Sequence, residues 1–363
     1  QRIENRSSSS LQNVWMMKIK RPWLLPFSPL YYMGISMRNS LFDLGIYSQR
    51  IFPVPVIAIG NLSVGGTGKT PVTIFLAKHL EKKYKVAVIS RGYGRKTNGY
   101  LHQDDAPLTT ENFGDEPCLI KQRVPSITLV VDGDRARAIQ RLLDQKDPPE
   151  VILLDDAFQH RFVSRTLNLL LTKWDEPFFK DMVLPAGDLR EPRTSSRRAD
   201  LVWVTKCPEN LADDVIEDMR SKIQNWVQAP VIFSSLEYGD PDEFSGNTPS
   251  DPLASLLLVT GLADPRPLVQ HIHSKAIRYR HLSFPDHHAF SSKDYESMKK
   301  EIKEYGLKYI LTTEKDAMRM DPKALGDIPI LTQPIEIEII HGKRELIEDI
   351  DQAVKAQQAV FQA

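Results

Sequence analysis

The stretch that decides the fold runs from Val54 to Leu80 and reads VPVIAIGNLSVGGTGKTPVTIFLAKHL. Its apolar opening, Val54 to Ile59, predicts a short buried strand, and the residues from about Lys69 to Leu80 predict a helix. A glycine-rich loop joins the two. This order of strand, loop and helix is typical of a phosphate-binding loop.

The chemistry of this loop depends on its glycines and on the helix that follows. Glycines allow backbone N–H groups to approach phosphate oxygens closely, and the helix N-terminus adds its positive dipole end. We expect Lys69 to contact the β- and γ-phosphates of a nucleotide and the Thr70 hydroxyl to ligate Mg²⁺. The predicted ATP-binding residues are Ser63, Val64, Gly65, Gly66, Thr67, Gly68, Lys69 and Thr70. Ser63 replaces the first glycine of the usual motif, and a glycine-rich turn without a ligand is the alternative.

A second acidic motif follows the apolar run Val151 to Leu154. Asp155 and Asp156 end this predicted strand. A strand that ends in a carboxylate beside a phosphate loop supplies negative charge to Mg²⁺. We therefore predict a metal site of Thr70, Asp155 and Asp156, with Asp155 the better candidate for direct coordination. A solvated turn at the strand end is the alternative.

Short apolar runs recur along the rest of the chain and alternate with helical patterns. This alternation predicts an α/β fold with a mainly parallel, doubly wound sheet, like that of P-loop NTPases, and a smaller second α/β domain. The turn-rich stretch 237–251 predicts the boundary. The expected organisation is a leader at 1–15, a membrane-interface helical segment at 16–47, a nucleotide-binding domain at 48–236, a linker at 237–251 and the smaller domain at 252–363.

The segment before the first strand has a distinct pattern. Lys18, Lys20 and Arg21 precede a Trp-containing apolar stretch, and Ser28 with Pro29 predicts a helix start. The residues at helical spacing beyond it are apolar: Leu30, Met33, Met37, Leu41 and Leu44. An amphipathic helix with basic and aromatic residues at its entrance is typical of docking at a membrane interface. A helix that packs on the protein's own core is the alternative.

Composition limits the function classes. The 47 Lys and Arg residues balance 47 Asp and Glu residues, so we expect no nucleic-acid partner. The two cysteines, Cys118 and Cys207, form neither a disulfide framework nor a metal-spaced pair, which fits a reducing cytosol. No uncharged apolar run reaches the roughly 18 residues of a spanning helix.

Several polar clusters follow the predicted strands. Thr205-Lys206-Cys207-Pro208 lacks the aspartate of a guanine-binding N-K-x-D motif, so ATP is the expected nucleotide. Taken singly, the other clusters are more typical of capped turns or solvated charge. Together they offer a base, a metal shell and cations for phosphoryl transfer. They are SRGYGR (90–95), GDEP (114–117), QH (159–160), GDLREPR (187–193) with Arg197 and Arg198, and FPDHH (284–288).

As an ordered set, these motifs resemble the tetraacyldisaccharide 4'-kinase (lipid A 4'-kinase) family. The resemblance covers nearly the whole chain from about residue 16. The blocks that carry it are PWL (22–24), GNLSVGGTGKTP (60–71), SRGYG (90–94), GDEP (114–117), DGDR (132–135), DDAFQH (155–160), LPAGDLREP (184–192), VTKCP (204–208), DHH (286–288) and TTEKD (312–316).

The resemblance implies transfer of the ATP γ-phosphate to the 4'-hydroxyl of a tetraacylated glucosamine disaccharide 1-phosphate at the cytoplasmic face of the bacterial inner membrane. It implies peripheral membrane contact and no obligate protein partner. It also implies Asp115 as general base, oriented by His287, with Glu116 nearby and Lys69 as a catalytic residue; His288 remains an alternative to His287. The implied lipid-binding residues are Arg91, Tyr93, Gln159, His160, Arg190, Glu191 and Arg193.

Two other functions stay open at this point. The chain could be a membrane-associated P-loop ATPase or assembly factor that transfers no phosphate to an acceptor. It could also phosphorylate a soluble metabolite.

Overall fold

The computed structural model describes residues 20–246, 255–275 and 277–362. The predicted leader at 1–15, residues 16–19 and part of the predicted linker lie outside these ranges. The contacts divide the chain into two units. The first holds the described residues up to Lys69, together with 151–235 and 339–362, and the second holds 70–150 and the described residues of 236–338.

The bounds of the regular elements follow the chain order. The strands are β1 (Val56–Asn61), β2 (Val86–Ser90), β3 (Leu101–His102), β4 (Thr128–Val131), β5 (Val151–Leu154), β6 (Leu167–Lys173), β7 (Leu201–Thr205), β8 (Val231–Tyr238), β9 (Asp242–Ser245), β10 (Leu256–Thr260), β11 (Tyr279–Ser283), β12 (Tyr309–Thr313), β13 (Ile330–Gln333) and β14 (Ile335–His341). The α-helices are α1 (Ser28–Asp43), α2 (Lys69–Leu80), α3 (Thr110–Phe113), α4 (Asp115–Arg123), α5 (Arg135–Leu143), α6 (Asp213–Gln224), α7 (Arg266–Ser274), α8 (Ser292–Tyr305), α9 (Glu314–Ala317), α10 (Pro322–Leu325) and α11 (Lys343–Gln362). Short 3-10 helices cover Pro22–Phe27, Phe178–Lys180 and Arg193–Arg198.

The first unit is built on a parallel sheet with the strand order β8-β7-β6-β1-β5. Strand β1 lies between β5 and β6, and all its residues are buried. Strands covered on both faces consist of near-continuous apolar residues, which explains why β1 and β5 were easy to predict. Because β1 is central, the loop that leaves its carboxyl end starts from a rigid position.

The second unit contains two groups of strands. In one, β2 pairs with β4 in parallel and β3 pairs with β4 antiparallel. The other is a five-stranded sheet of order β11-β10-β12-β13-β9, in which only β9 runs antiparallel. Its central strands β10 and β12 are buried. The predicted α/β class with mainly parallel strands is confirmed.

The sequence predictions missed four strands, β3, β8, β9 and β14. Strand β3 has only two residues, and β9 lies in the turn-rich stretch that favoured a boundary. Strand β14 alternates isoleucine and glutamate from Ile335 to Glu338, and half-buried and exposed positions alternate in the same way. This period of two is a strand signal that the sequence carried.

Helix α1 begins at Ser28 after a 3-10 helix, so Ser28 is its first residue and not its N-cap. Among the residues that the structure describes, no helix combines the length and apolar content needed to cross a bilayer.

Candidate active site

The phosphate loop connects β1 to α2 in the predicted way. Gly65 and Gly68 have φ values of 98° and 80°, which only glycine adopts readily. The Val64 N–H donates to the Asp188 carbonyl at 2.8 Å, and the Thr205 hydroxyl donates to the Thr67 carbonyl at 2.9 Å. The loop is therefore held by two segments of the first unit as well as by its own glycines.

Lys69, the first residue of α2, contacts two polar side chains of the first unit. Its Nζ lies 3.5 Å from Asp156 Oδ1 and 3.5 Å from Asn61 Oδ1. Asn61 also donates from Nδ2 to the Ser63 carbonyl at 2.7 Å. Asn61 ends β1 and links the loop backbone to the lysine, a role that the sequence predictions did not include.

The acidic pair follows β5. Asp155 is only 1% exposed, whereas the Asp156 side chain is 27% exposed and has a φ of 47°. Arg190 donates to both carboxylate oxygens of Asp156 at 3.2 Å. A non-glycine residue with positive φ is uncommon, and such residues cluster at functional sites.

The segment 183–193 makes further contacts with the phosphate loop and with Leu62, the residue before it. Ser63 forms an antiparallel bridge with Leu189, and the Arg190 N–H donates to the Leu62 carbonyl at 2.7 Å. Glu191 is 1% exposed and is bound by Arg198, and Arg193 donates to the Asp181 carbonyl at 2.7 and 2.9 Å. Glu191 and Arg193 therefore have internal partners in this unit.

Gln159 and His160 follow the acidic pair. The Gln159 side chain donates to the Asn61 carbonyl at 2.8 Å, and its own carbonyl accepts from Arg38 at 3.0 Å. The His160 ring lies 6.1 Å from that of Phe162. Gln159 thus joins helix α1 to the end of β1.

A second cluster lies entirely within the second unit. Asp115 is the first residue of α4 and is 5% exposed. His287 Nδ1 lies 2.9 Å from Asp115 Oδ2, and His287 has a φ of 58°. His288 was the alternative partner of Asp115, but its Nε2 lies 3.0 Å from Asp294 Oδ2 instead. The structure therefore pairs His287 with Asp115, and His288 with the N-terminus of α8.

Two cations border the Asp115–His287 pair. Lys315 Nζ lies 3.2 Å from His287 Nε2 and 3.6 Å from Glu116 Oε1. Arg319 lies 3.6 Å from Asp115 Oδ2 and is held by the fully buried Asp316. The sequence predictions included the TTEKD block in the family resemblance but gave Lys315 no role, and they left out Arg319.

Charge and hydrogen bonding set the protonation of this pair. Burial raises the pKa of Asp115, but the His287 hydrogen bond and the charges of Lys315 and Arg319 bring that pKa below its usual value. The hydrogen bond to Asp115 raises the pKa of His287, against burial and the charge of Lys315. Asp115 is therefore a carboxylate at neutral pH, the form that accepts a proton.

Two of the predicted lipid-binding residues belong to the second unit. The Tyr93 ring lies 5.4 Å from the His287 ring, and Tyr93 is 68% exposed. Arg91, two residues earlier, is also exposed. The structure brings Tyr93 to the Asp115–His287 pair, while Arg190, Glu191, Arg193, Gln159 and His160 belong to the first unit.

The N-terminal segment shows an inverted amphipathic pattern. The residues of α1 that are buried are Ser28, Asn39 and Phe42. The exposed residues of α1 and of the 3-10 helix before it include large apolar side chains. Their exposed fractions are 73% for Trp23, 59% for Phe27, 67% for Leu30, 61% for Met33 and 65% for Met37. The apolar stripe predicted from the sequence therefore faces away from the first unit.

Polar contacts attach this segment to the first unit. Tyr31 donates to the Arg190 carbonyl at 2.9 Å. Lys20 and Arg21 form ion pairs with Asp188 at 2.7 and 3.0 Å, so these cations are held by the protein itself.

A glycine-rich loop between a buried parallel strand and a helix, with an acidic pair after a neighbouring strand, defines a P-loop nucleotide-binding protein. The family described as tetraacyldisaccharide-1-P 4'-kinase (LpxK) matches residues 20–355. The chain belongs to this family, and it is an ATP-dependent lipid kinase.

Individual relatives agree with this assignment. Tetraacyldisaccharide 4'-kinase of Phocaeicola vulgatus is 40% identical over 346 residues, which cover 91% of this chain and 94% of the relative. The enzyme of the same name from Flavobacterium johnsoniae is 39% identical, with 93% and 98% covered. The crystal structure of LpxK from Aquifex aeolicus in complex with ATP matches with a TM-score of 0.71 and 31% identity over 92% of this chain and 98% of that one.

Proposed function

We propose that this kinase binds ATP at residues 63–70 and transfers its γ-phosphate to the 4'-hydroxyl of a tetraacylated glucosamine disaccharide 1-phosphate, with Asp115 as general base. The family gives the reaction. The observation that supports the base is the 2.9 Å contact between His287 Nδ1 and a carboxylate that is 5% exposed. A carboxylate oriented in this way accepts the hydroxyl proton as the oxygen attacks phosphorus.

The phosphate loop supplies the nucleotide side of the reaction. Its backbone N–H groups bind the phosphates, and Lys69 neutralises charge that develops on the transferred group. The contact between Lys69 and Asp156 at 3.5 Å orients the ammonium group near the acidic pair.

The residues around the loop fit a magnesium ion. Among the residues that the structure describes, no group of three His, Cys, Asp or Glu side chains could hold a metal by itself. Mg²⁺ normally takes one or two carboxylates and completes its shell with substrate phosphates and water. Asp155 and Asp156 of the first unit would hold the ion, which would neutralise phosphate charge when bound, and Thr70 stays a predicted ligand from the sequence.

Each unit, considered by itself, contains candidate residues for binding the acceptor lipid. Arg91 and Tyr93 are exposed, and Tyr93 lies beside His287. Gln159 and His160 are further candidates. Arg190, Glu191 and Arg193 have internal partners, so we assign them chiefly to support of the loop and the acidic pair.

The exposed apolar face of the N-terminal segment supports peripheral binding at the cytoplasmic face of the inner membrane. Contiguous large apolar side chains are rarely left in water. Side chains such as Trp23, Phe27 and Leu30 suit the boundary between headgroups and acyl chains. An acceptor that carries four acyl chains is itself located there.

The test is a phosphotransfer assay in mixed micelles. Purified protein with ATP–Mg²⁺ and the acylated disaccharide should give a 4'-monophosphorylated product by mass spectrometry, and Asp115→Asn should slow its formation about 10³-fold. Absence of product in several detergents would contradict the proposed reaction.

Lipid-independent ATP hydrolysis that Asp115→Ala leaves unchanged would favour an ATPase instead. If removal of residues 16–47 left kcat/KM unchanged, a soluble acceptor would be favoured.

A further inference from the structure

Lys315 contacts the ring nitrogen of His287 that faces away from Asp115. Its Nζ lies 3.2 Å from His287 Nε2, while Nδ1 of the same ring lies 2.9 Å from Asp115 Oδ2. Lys315 is the second residue of the short helix α9, which directly follows the buried strand β12. Its backbone is therefore well fixed.

Two carboxylates lie beside the Lys315 ammonium group. Glu116 Oε1 lies 3.6 Å and Asp286 Oδ1 lies 3.5 Å from Nζ. An ammonium group is a donor only. The contact with His287 is thus a hydrogen bond only if Nε2 carries a lone pair.

This condition determines the tautomer of the imidazole. A neutral imidazole has one protonated nitrogen, so an accepting Nε2 requires the proton on Nδ1. Nδ1–H then donates to Asp115 Oδ2. The other oxygen, Oδ1, accepts from the Glu116 N–H at 3.0 Å. The carboxylate is held at both oxygens and retains lone pairs for a further proton donor.

We propose that Lys315 is a positioning residue that fixes His287 as the neutral Nδ1–H tautomer, and that it thereby orients Asp115 toward the acceptor hydroxyl. The role rests on the proposed function of Asp115 as general base. In the reaction, the acceptor O–H bond breaks as oxygen attacks the γ-phosphorus, and the proton goes to Asp115. His287 keeps its proton throughout, and ADP leaves.

The other groups that face His287 are consistent with this role. Asp286 Oδ2 lies 3.8 Å from Nε2, beyond hydrogen-bond distance, and the centroids of the Tyr93 and imidazole rings lie 5.4 Å apart. Arg319 Nη1 lies 3.6 Å from Asp115 Oδ2, the same carboxylate oxygen that His287 contacts. A second proton on the ring would replace the Lys315 hydrogen bond by the repulsion of two cations at 3.2 Å.

Kinetics of Lys315→Met and Lys315→Arg test the proposal. Loss of the nearby cation removes an effect that lowers the pKa of His287. The acid limb of the kcat pH profile should therefore move to higher pH in Lys315→Met. The kcat near pH 7 should fall about tenfold, less than the roughly 10²–10⁴-fold of a general base, because Lys315 acts only through His287. Lys315→Arg retains a donor and a charge and should stay within about threefold of wild type, with its acid limb in place.

Lys323→Met, at an exposed lysine of the same unit, is the control and should change neither quantity. The proposal would be overturned if Lys315→Met raised the KM for ATP but left the acid limb of the kcat pH profile in place, because Lys315 would then contact a phosphate.

Imidazole ¹⁵N shifts give a test that needs no turnover. With ¹⁵N-histidine labelling, the His287 signals, assigned by their loss in His287→Gln, should show a protonated Nδ1 and an unprotonated Nε2 above the pKa. In Lys315→Met the Nε2–H tautomer should appear. A protonated Nε2 in the wild type, or identical spectra in both proteins, would contradict the proposal.

The two proposals fail separately. If Asp115→Asn retained phosphotransfer, the general-base role would be wrong whatever the tautomer. If Asp115→Asn were inactive but Lys315→Met kept the wild-type pH profile and the wild-type tautomer of His287, only the role of Lys315 would be wrong. Thermal unfolding of each variant shows whether a loss of activity reflects loss of the fold.

Discussion

The phosphate loop and the Asp115–His287–Lys315 cluster are assembled in different ways. The loop is one continuous stretch, residues 63–70, that joins a single strand to a single helix. In the cluster, Asp115 and His287 are 172 residues apart, and Lys315 lies another 28 residues along the chain. Nucleotide binding therefore depends on local sequence, whereas orientation of the base depends on the tertiary packing of the second unit.

Loss of the base should give the largest effect and should leave the loop intact. Asp115→Asn keeps the shape of the side chain but removes its basicity, so kcat/KM should fall about 10³-fold, within the range of general-base catalysis. Steady-state assays with the lipid acceptor measure this. The matched control is Asp104→Asn, at a carboxylate that is 78% exposed. A loss below tenfold in Asp115→Asn would assign the proton to another acceptor.

Loss of the loop lysine should give the next largest effect on the rate. Unlike loss of the base, it should also weaken ATP binding. Lys69→Ala should cost at least about 3 kcal/mol of transition-state stabilisation, a hundredfold or more in rate, because it removes a cation from the transferred phosphate. ATP affinity by calorimetry should fall as well. Lys78→Ala on the same helix, where the side chain is 41% exposed, serves as the control. Normal turnover in Lys69→Ala would contradict the assignment of the loop.

His287 and His288 are adjacent in the sequence, so substitutions of each test whether the contact with Asp115 matters for the reaction. His287→Gln should lower kcat by roughly ten- to a hundredfold with little change in ATP affinity, because Asp115 loses its orienting donor. His288→Gln should leave kcat within about twofold and cost about 1–2 kcal/mol of unfolding free energy, since His288 contacts the partly exposed Asp294 and the rings of Phe284 and Phe290. Kinetics and chemical denaturation separate the two. Equal losses of kcat in both variants would remove the distinction.

The N-terminal face should give the smallest effect, and only on a membrane surface. Burial of an exposed methionine is worth about 1.5 kcal/mol or more, so Met33→Glu with Met37→Glu should weaken vesicle binding at least tenfold. Turnover of acceptor dispersed in detergent should change much less. Val360→Glu, at an apolar residue that is 69% exposed in α11, is the control. Unchanged sedimentation with anionic vesicles would contradict the interfacial role.

The sequence predicted the loop, the acidic pair and most buried strands because each is encoded over a few adjacent residues. Strand β5 has the predicted bounds Val151 to Leu154, and α2 spans the predicted Lys69 to Leu80. The family resemblance also implied Asp115 and His287. It did not separate His287 from His288, because the choice depends on which imidazole the packing of β11, α8 and α4 directs to Asp115.

The orientation of α1 and the role of Lys315 could not be predicted from local sequence patterns. The apolar stripe of α1 was recognised, but the side that faces the protein depends on partners such as Arg190 and Ser195, which are far away in the sequence. Lys315 lies in a motif that was noted, yet its role requires the position of an imidazole 28 residues away. The domain boundary at 237–251 stays a prediction, since part of it lies outside the described residues.

A single-turnover experiment with Asp115→Asn tests the division between loop and cluster most directly. Enzyme saturated with γ-labelled ATP and Mg²⁺ is mixed with the acylated disaccharide, and bound ATP and phosphorylated lipid are measured together. We expect ATP to bind as tightly as to the wild type, within about twofold, while lipid phosphorylation slows about 10³-fold. Loss of ATP binding in step with transfer, or transfer at the wild-type rate, would contradict this account.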